Sequence, residues 1–453
     1  MTDKSPATRF FRMVCPPQDM DRVAALLRAE GFEFTPENIS PWAFRLLDGP
    51  LPLGSSLAAF FGLIYIQDRS SMLPPLVLAP PPDATALDMC ASPGGKTGLL
   101  AQLVGPGGLV LGNEPNPARL ATLRRNLETA NLMHTATCRA DGEKLGLAPG
   151  AWPYILLDPP CSGWGTAEKH PQVMKLWKGD KIKPLIGLQR ALLRRAAQLL
   201  PPGGRLVYST CTTNNAENED QAAWAQDHLG LVPAAFLEPG REHSEPLTRL
   251  NITGGQGEGQ GFFVALFSKP GEPGETGGPG GPGSPGAHDS AQSPPDFAQS
   301  PPNFGQNPPP GDDTRAAWWS TWRERLIDRD LLNSACLDAS RLPPGEVAAF
   351  NENLIFMPAN LAVLVPASVT WRGFGLGKFT AGVPRPSPRL RGLMRGPQDC
   401  PALDVDEPET IRRLQCGNSL GLDAPGREAG LYFQGLPLGL LRLAGGRAMW
   451  SEG

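Results

Sequence analysis

The sequence predicts an α/β fold: a doubly wound parallel sheet, preceded by a small α/β lobe and followed by a separate β-rich domain. Three observations lead there. Between Ala84 and Phe267, short β-favouring apolar runs alternate with helical stretches, the pattern of parallel strands covered by helices on both faces. A glycine-rich turn at Cys90 to Gly95 joins one strand directly to one helix. Residues 270–313 contain no Leu, Ile or Val and are rich in Pro, Gly and Ser, so they form no core and mark a boundary. The division is a lobe at 1–53, the sheet domain at 54–269, a linker at 270–313 and a C-terminal domain at 314–453.

Composition narrows the function classes. A chain of 453 residues is long enough for two or three domains and a large core. The net charge of −4 makes the whole molecule an unpromising polyanion binder, so any nucleic-acid surface must be a local patch. Eight cysteines without CxxC pairs or zinc spacing argue for a reducing, cytoplasmic setting and against a metal site. Residues 1–17 lack a secretory pattern, and no apolar run is long enough for a membrane.

In order along the chain, Asp19 to Ala29 has apolar residues at helical spacing and stops at Gly31. Leu63 to Ile66 reads as a strand, and the SSMLPPLVLA segment that follows reads as a helix. Ala86 to Met89 is the next strand, and Cys90, Ala91, Ser92, Pro93, Gly94 and Gly95 form a turn into a helix opening at Lys96. Glycines there let the backbone approach a ligand, and a helix N-terminus favours a carboxylate or phosphate. A phosphate-binding P-loop would need glycine where Cys90 stands, which excludes nucleotide hydrolysis. Leu109 to Gly112 is a strand ending at Asn113 and Glu114, an acid placed to hydrogen-bond ribose hydroxyls. A helix over 116–130 and a strand at Thr135 to Cys138 follow, ending at Asp141, which is either an adenine contact or a solvated loop residue.

Two strand ends present thiols. Ile155 to Leu157 leads into Asp158-Pro159-Pro160-Cys161, and Leu206 to Tyr208 leads into Cys211. Each cysteine alone reads as a small core residue. Both at strand ends, where open α/β sheets hold their ligands, suggest covalent chemistry. An amphipathic helix at Gln189 to Leu200 precedes the second strand, another helix starts near Asn215 to Glu219, and Gly261 to Phe267 closes the sheet.

LDMCASPGGKT, LLDPPCSG and VYSTCT, in that order and spacing, resemble the NOL1/NOP2/Sun family of RNA 5-methylcytosine methyltransferases. PLGSS, GLIYIQDRSSMLP and STCTTNNAENE are similar to segments of its bacterial small-subunit rRNA subgroup. The resemblance covers about Gly54 to Lys269 and implies a Rossmann-like class I methyltransferase sheet. It also implies S-adenosylmethionine held by Cys90 to Lys96, with Glu114 on the ribose, Asp141 at the adenine and Asp158 beside the reacting groups. The implied substrate is RNA, either small-subunit rRNA or the assembled subunit, with tRNA as the alternative within the family. The family's Arg-x-Asn segment has no counterpart around Arg9 to Val14, and Ser92 stands where alanine is common.

The chemistry gives both thiols work. Carbon 5 of cytosine is a poor nucleophile until a thiolate adds to carbon 6. The resemblance assigns that addition to Cys211, base-edge stabilisation to Asp158 and adduct breakdown to Cys161. Amino-group methyltransferases also carry Asp-Pro-Pro, but with an aromatic residue where Cys161 stands and no use for Cys211. A non-catalytic ribosome-assembly factor on the same fold would show degraded motifs, and a redox pair would abolish the thiolate.

Beyond 269, glycine recurs every third residue from Gly271 to Gly286, a collagen-like period too short to specify a triple helix. Trp318, Trp319 and Trp322, with Arg323 and Arg325, open the last domain on a helix suited to packing. Arg372, Lys378, Arg385, Arg389, Arg391 and Arg395 occur with no intervening acid and form the candidate phosphate-contacting patch. GLYFQGLPLGLLRLAGGRAM is similar to the strands and tight turns of a PUA-like RNA-binding module.

Overall fold

The computed structural model describes residues 9–166, 182–241, 244–252, 260–271, 325–366 and 368–450. Most of the 270–313 linker and the tryptophan helix expected at 318–323 lie outside the described residues.

The chain opens with β1 (Arg9–Met13), α1 (Met20–Ala29), β2 (Glu33–Pro36) and β3 (Ala43–Asp48), then α2 (Leu57–Phe60) and β4 (Ile64–Ile66). The four strands pair antiparallel in the order β2-β3-β1-β4. The sheet of the lobe is completed by β4, which pairs with β1. After α1, Gly31 turns the chain at φ +86°, the left-handed conformation glycine tolerates best.

The sheet domain follows as α3 (Arg69–Leu78), β5 (Thr85–Asp88), α4 (Gly95–Val104), β6 (Leu109–Asn113), α5 (Pro117–Thr129), β7 (Thr135–Cys138) and β8 (Tyr154–Leu157). It continues through α6 (Lys183–Leu199), β9 (Arg205–Thr210), α7 (Glu219–Leu229), β10 (Val232–Pro233), β11 (Arg249–Ile252) and β12 (Phe262–Ser268). Five strands, β9-β8-β5-β6-β7, are parallel, and β12 adds antiparallel beside β9. Side-chain alternation divides the core in two, as the period of 2 requires. Leu87, Leu111, Ile155, Leu157, Leu206 and Tyr208 face α6 and α7. Ala86, Val110, Leu156 and Val207 face α3, α4 and α5.

Chain punctuation fixes the helix starts. Asn116 caps α5 by accepting from the Ala118 and Arg119 amides at 2.9 and 3.1 Å, with Pro117 in the first turn. Asp68 caps α3 through the Ser70 amide at 3.1 Å.

The C-terminal part is β-rich, as predicted. One antiparallel sheet comprises β13 (Leu326–Ile327), β14 (Gly345–Phe350), β15 (Asn353–Pro358), β17 (Phe374–Thr380) and β18 (Val383–Pro386). Between the last two hairpins lies β16 (Trp371–Arg372). A second sheet holds β19 (Ala402–Val405), β20 (Leu420–Gly421), β21 (Glu428–Phe433), β22 (Leu436–Ala444) and β23 (Arg447–Met449).

The C-terminal part packs closely on the rest of the chain. β16 pairs antiparallel with β7 and extends the central sheet by one strand, Trp371 opposite Cys138. Ile355, Met357, Leu361 and Val369 share a core with Leu145, Leu147 and Trp152. Ile411, Leu431 and Phe433 share another with Phe11, Val23 and Leu27 of the lobe. Apolar surface on each part is covered by the others, so none can leave without exposing it. No described helix is long and apolar enough to cross a membrane.

Candidate active site

Every predicted loop lies at the carboxyl end of a parallel strand. Leaving β5, Cys90 to Gly94 turns into α4, with Gly94 at φ +109° and no side chain capping the helix. The first-turn amides of α4 are thus open to an external acceptor. The turn borders a cavity of about 250 Å³ walled by Tyr65, Gln67, Ser71, Cys90, Lys96 and Asp158. A Cβ at Gly95 would stand 3.1 Å from the Tyr65 ring, so glycine there keeps turn and wall close.

Asp158, at the end of β8, is held from two elements. Its Oδ2 accepts from Lys96 Nζ at 2.7 Å, and its Oδ1 accepts from Ser209 Oγ of β9 at 2.9 Å. Burial works against the charge on Lys96, but Asp158 overcomes it and holds the ammonium pKa above its ordinary value.

The two thiols meet. Cys161 Sγ lies 3.2 Å from Cys211 Sγ. The hydrogen bond from Cys161 lowers the Cys211 pKa below the ordinary thiol value, and nearby Lys96 adds to this against burial and Asp158. Cys161 is pushed well above that value by the same bond, by burial and by Asp158, against the lowering effect of a hydrogen bond from the Cys211 backbone. Cys90 is also raised, by burial and then by Asp88, Asp158 and Glu114, and is an inert thiol. Of the three, Cys211 is the one poised to ionise.

The loops carrying these thiols are braced by a buried carboxylate absent from the sequence reading. Glu217 accepts from the Ser162 amide at 2.9 Å and from Ser162 Oγ at 2.5 Å, while Ser162 Oγ lies 2.8 Å from Thr212 Oγ1. Gln189 of α6 donates to Glu217 at 3.0 Å and to the Pro160 carbonyl at 3.0 Å. The residue after each cysteine is thereby tied to the same anchor. The segment containing Glu217 was legible as a helix start, but its partners lie up to 55 residues away.

Two further residues were missed. Asn113 donates to the Met89 and Ala140 carbonyls at 3.2 and 3.0 Å, linking the ends of β5, β6 and β7. Arg12 of β1 is buried, donates to Gln67 at 3.1 Å and to the Gly95 carbonyl at 3.2 Å, and also bonds Gln102. Burial lowers its pKa to about 10, so it remains charged and fastens the lobe to the first residue of α4. A single arginine in the apolar run FFRMV was the available signal.

The other predicted residues are spread more widely. Glu114 is buried beside the site, accepting from the Asn116 amide at 2.9 Å and pairing with Arg119 at 3.3 Å. Asp141 is exposed, 3.9 Å from Lys144. Neither lines the 250 Å³ cavity. The six basic residues do not form one patch. Arg372, Lys378, Arg385 and Arg389 line a groove of about 1250 Å³, whereas Arg395 does not. Arg391 is a correction: it is buried and donates to five backbone carbonyls, so it has nothing left for a phosphate.

Residues 75–268 match the family model described as 16S rRNA methyltransferase RsmB/F. Ribosomal RNA small subunit methyltransferase F of Salmonella paratyphi A is 36% identical over 259 residues, covering 54% of this chain and 53% of that protein. The chain thus spans about half the length of the curated relatives it matches. Among solved structures, PH0851 is 28% identical over 59% of this chain and 60% of its own, with a TM-score of 0.52. A methyltransferase homolog protein from Pyrococcus horikoshii is 31% identical over 58% of this chain and 87% of its own, with a TM-score of 0.48. The open first turn of α4, the glycine-walled cavity and the Lys96–Asp158 pair fit S-adenosylmethionine, the cofactor of such methyltransferases. Through residues 75–268, the chain is similar to the RsmB/F family of 16S rRNA methyltransferases.

Proposed function

We propose that this chain methylates carbon 5 of cytosine in small-subunit ribosomal RNA, working in the cytoplasm, with S-adenosylmethionine as cofactor. The observation that carries the reading is the 3.2 Å approach of Cys161 to Cys211 beside Asp158, at the ends of adjacent parallel strands. Amino-group transfer has no use for two thiols.

Cys211, the more acidic thiol, adds as thiolate to carbon 6 of the ring, and electron density moves to carbon 5. Asp158 takes up the proton that Cys211 releases on ionising and donates it to ring nitrogen 3, which neutralises the charge created by addition. Bound S-adenosylmethionine supplies an electrophilic methyl group. Cys161 is protonated beside Cys211 in the resting site; after methyl transfer it gives that proton to solvent and takes the carbon 5 proton, so that the Cys211–carbon 6 bond breaks with its electron pair returning to sulfur and the methylated ring is released. Lys96 holds Asp158 in place and favours the Cys211 thiolate. The turn from Cys90 to Lys96 holds the cofactor, with Glu114 toward its ribose and Asp141 toward its adenine, and the last sheet acts as a PUA-like RNA-binding module.

Methyl transfer from labelled S-adenosylmethionine to small-subunit particles, naked small-subunit rRNA and tRNA, with bisulfite mapping, tests the proposal. Label at cytosine carbon 5 is expected in small-subunit RNA, and tRNA labelling alone would move the substrate assignment. Cys211→Ala is expected to abolish turnover without a covalent complex, and Cys161→Ala to accumulate an RNA–protein adduct. Exchanged phenotypes would reverse the nucleophile. Because the Cys211 pKa is lowered, activity rises with pH and levels off below the ordinary thiol value of 9.0.

A further inference from the structure

The largest cavity among those described is the 1250 Å³ groove, which lies outside the cofactor cleft. Its walls come from places distant in sequence: α2, the end of α5, the β17–β18 hairpin with the residues after it, and the β21–β22 hairpin. Arg125, Arg385, Arg427 and Arg442 line it, all exposed and with no ion-pair partner among the described residues. Lys378 is also exposed, bonded only to the neutral Asn353 side chain at 3.0 Å. The groove's two acids are already engaged. Glu128 pairs with Arg372 at 3.4 Å, and Glu428 accepts from the Cys336 amide at 3.2 Å. On a chain of net charge −4, this is a concentrated positive surface.

We infer that this groove binds the phosphodiester backbone of the RNA substrate, with Arg125, Arg385, Arg427 and Arg442 as its phosphate contacts. Three of these four arginines fall outside the basic segment visible in the sequence, and folding alone gathers them. A protein partner fits less well, because none of the exposed large apolar side chains lines the groove and protein interfaces are built around an apolar centre. The groove also adjoins the cofactor cleft. Asn126 lines the groove and donates at 2.8 Å to the carbonyl of Pro93, which lines the cleft. A backbone held there runs along the outer side of the turn that borders the cleft. This assignment rests on the chain acting on RNA, as proposed above.

The test is binding of naked small-subunit rRNA by the full chain across a salt series, comparing wild type with Arg125→Ala/Arg385→Ala/Arg427→Ala/Arg442→Ala. Each lost phosphate contact removes roughly 0.7 to 0.9 from the slope of log affinity against log salt. The quadruple variant is therefore expected to have a slope shallower by about 3, with S-adenosylmethionine affinity unchanged as evidence of intact folding. The corresponding quadruple Arg→Lys variant is expected to regain most of the slope, since lysine also contacts phosphate. An unchanged slope in a variant that still binds S-adenosylmethionine overturns the groove and leaves the methyltransferase reading standing. A wild type that neither binds nor methylates any RNA overturns both.

Discussion

Glu217 is fully buried and its carboxylate accepts four hydrogen bonds, from the Ser162 amide and hydroxyl, Gln189 and Asn214. It touches no reacting group, yet it fixes the spacing of the loops that hold Cys161 and Cys211. Misplacing reacting groups by about 1 Å costs on the order of 10²-fold in rate. Glu217→Ala is accordingly expected to lower kcat by roughly that factor while leaving the KM for S-adenosylmethionine near wild type. Leaving buried donors unpaired would also lower stability by roughly 2 to 4 kcal/mol. Glu217→Gln, which keeps an acceptor oxygen, is expected to lose less of both. A folded Glu217→Ala protein with wild-type kcat would remove the brace from the account. Cys211, Cys161 and Asp158 were legible because each stands where an apolar run gives way to a turn. Glu217 was not, because a carboxylate in NAENE reads as a helix start until Ser162 is seen against it.

Strands and helices of the central sheet follow the alternation of the sequence closely, since period 2 and period 3.6 patterns there are backed by clear turn residues. β16 escaped that reading. Two residues carry no periodicity, and its partner β7 lies more than 200 positions earlier. Junctions between elements hold chemistry of their own, as the end of β5 shows. Asp88 is buried there, accepting from Thr97 Oγ1 of α4 at 2.7 Å and from the Cys90 amide at 3.3 Å. It thereby ties strand, turn and helix together. Burial raises its pKa from 3.8 to about 6, and the Thr97 bond only partly offsets this. The folded protein thus holds this proton more tightly than the unfolded chain. The stabilisation is complete below pH 3.8 and is lost as pH rises through about 6, in total roughly 3 kcal/mol. Denaturation of the cofactor-free protein at a series of pH values is expected to show this decline. In Asp88→Asn the decline should be absent, and an identical decline in both proteins would assign it to another group.

At the scale of the whole molecule, Arg391 shows why charge in a sequence does not specify its use. Read along the chain, it belongs to a run of six cations. In the fold, its Nη1 donates to the carbonyls of Phe61 and Thr129 at 2.7 Å each, and its Nη2 donates to those of Gly62, Ala130 and Val14 at 2.9, 2.9 and 3.3 Å. The C-terminal part is thereby fastened at once to the lobe and to the end of α5. Gly62 lets these backbones meet, since a Cβ there would fall 2.1 Å from the Thr129 carbonyl oxygen. Burial lowers the Arg391 pKa to about 10, which still leaves it charged at neutral pH. Five carbonyls would lose their donor on substitution. Arg391→Met is expected to destabilise the protein by roughly 3 kcal/mol or more, far beyond the effect of removing an exposed groove cation such as Arg427. Because the lobe, the central sheet and the C-terminal sheets share cores, calorimetry of the wild type should show one cooperative transition. The Arg391→Met transition should move to lower temperature or divide in two. Separate transitions in the wild type, or an Arg391→Met protein that melts with it, would mean that the C-terminal part is held by its apolar contacts alone and that the buried guanidinium contributes nothing to the union.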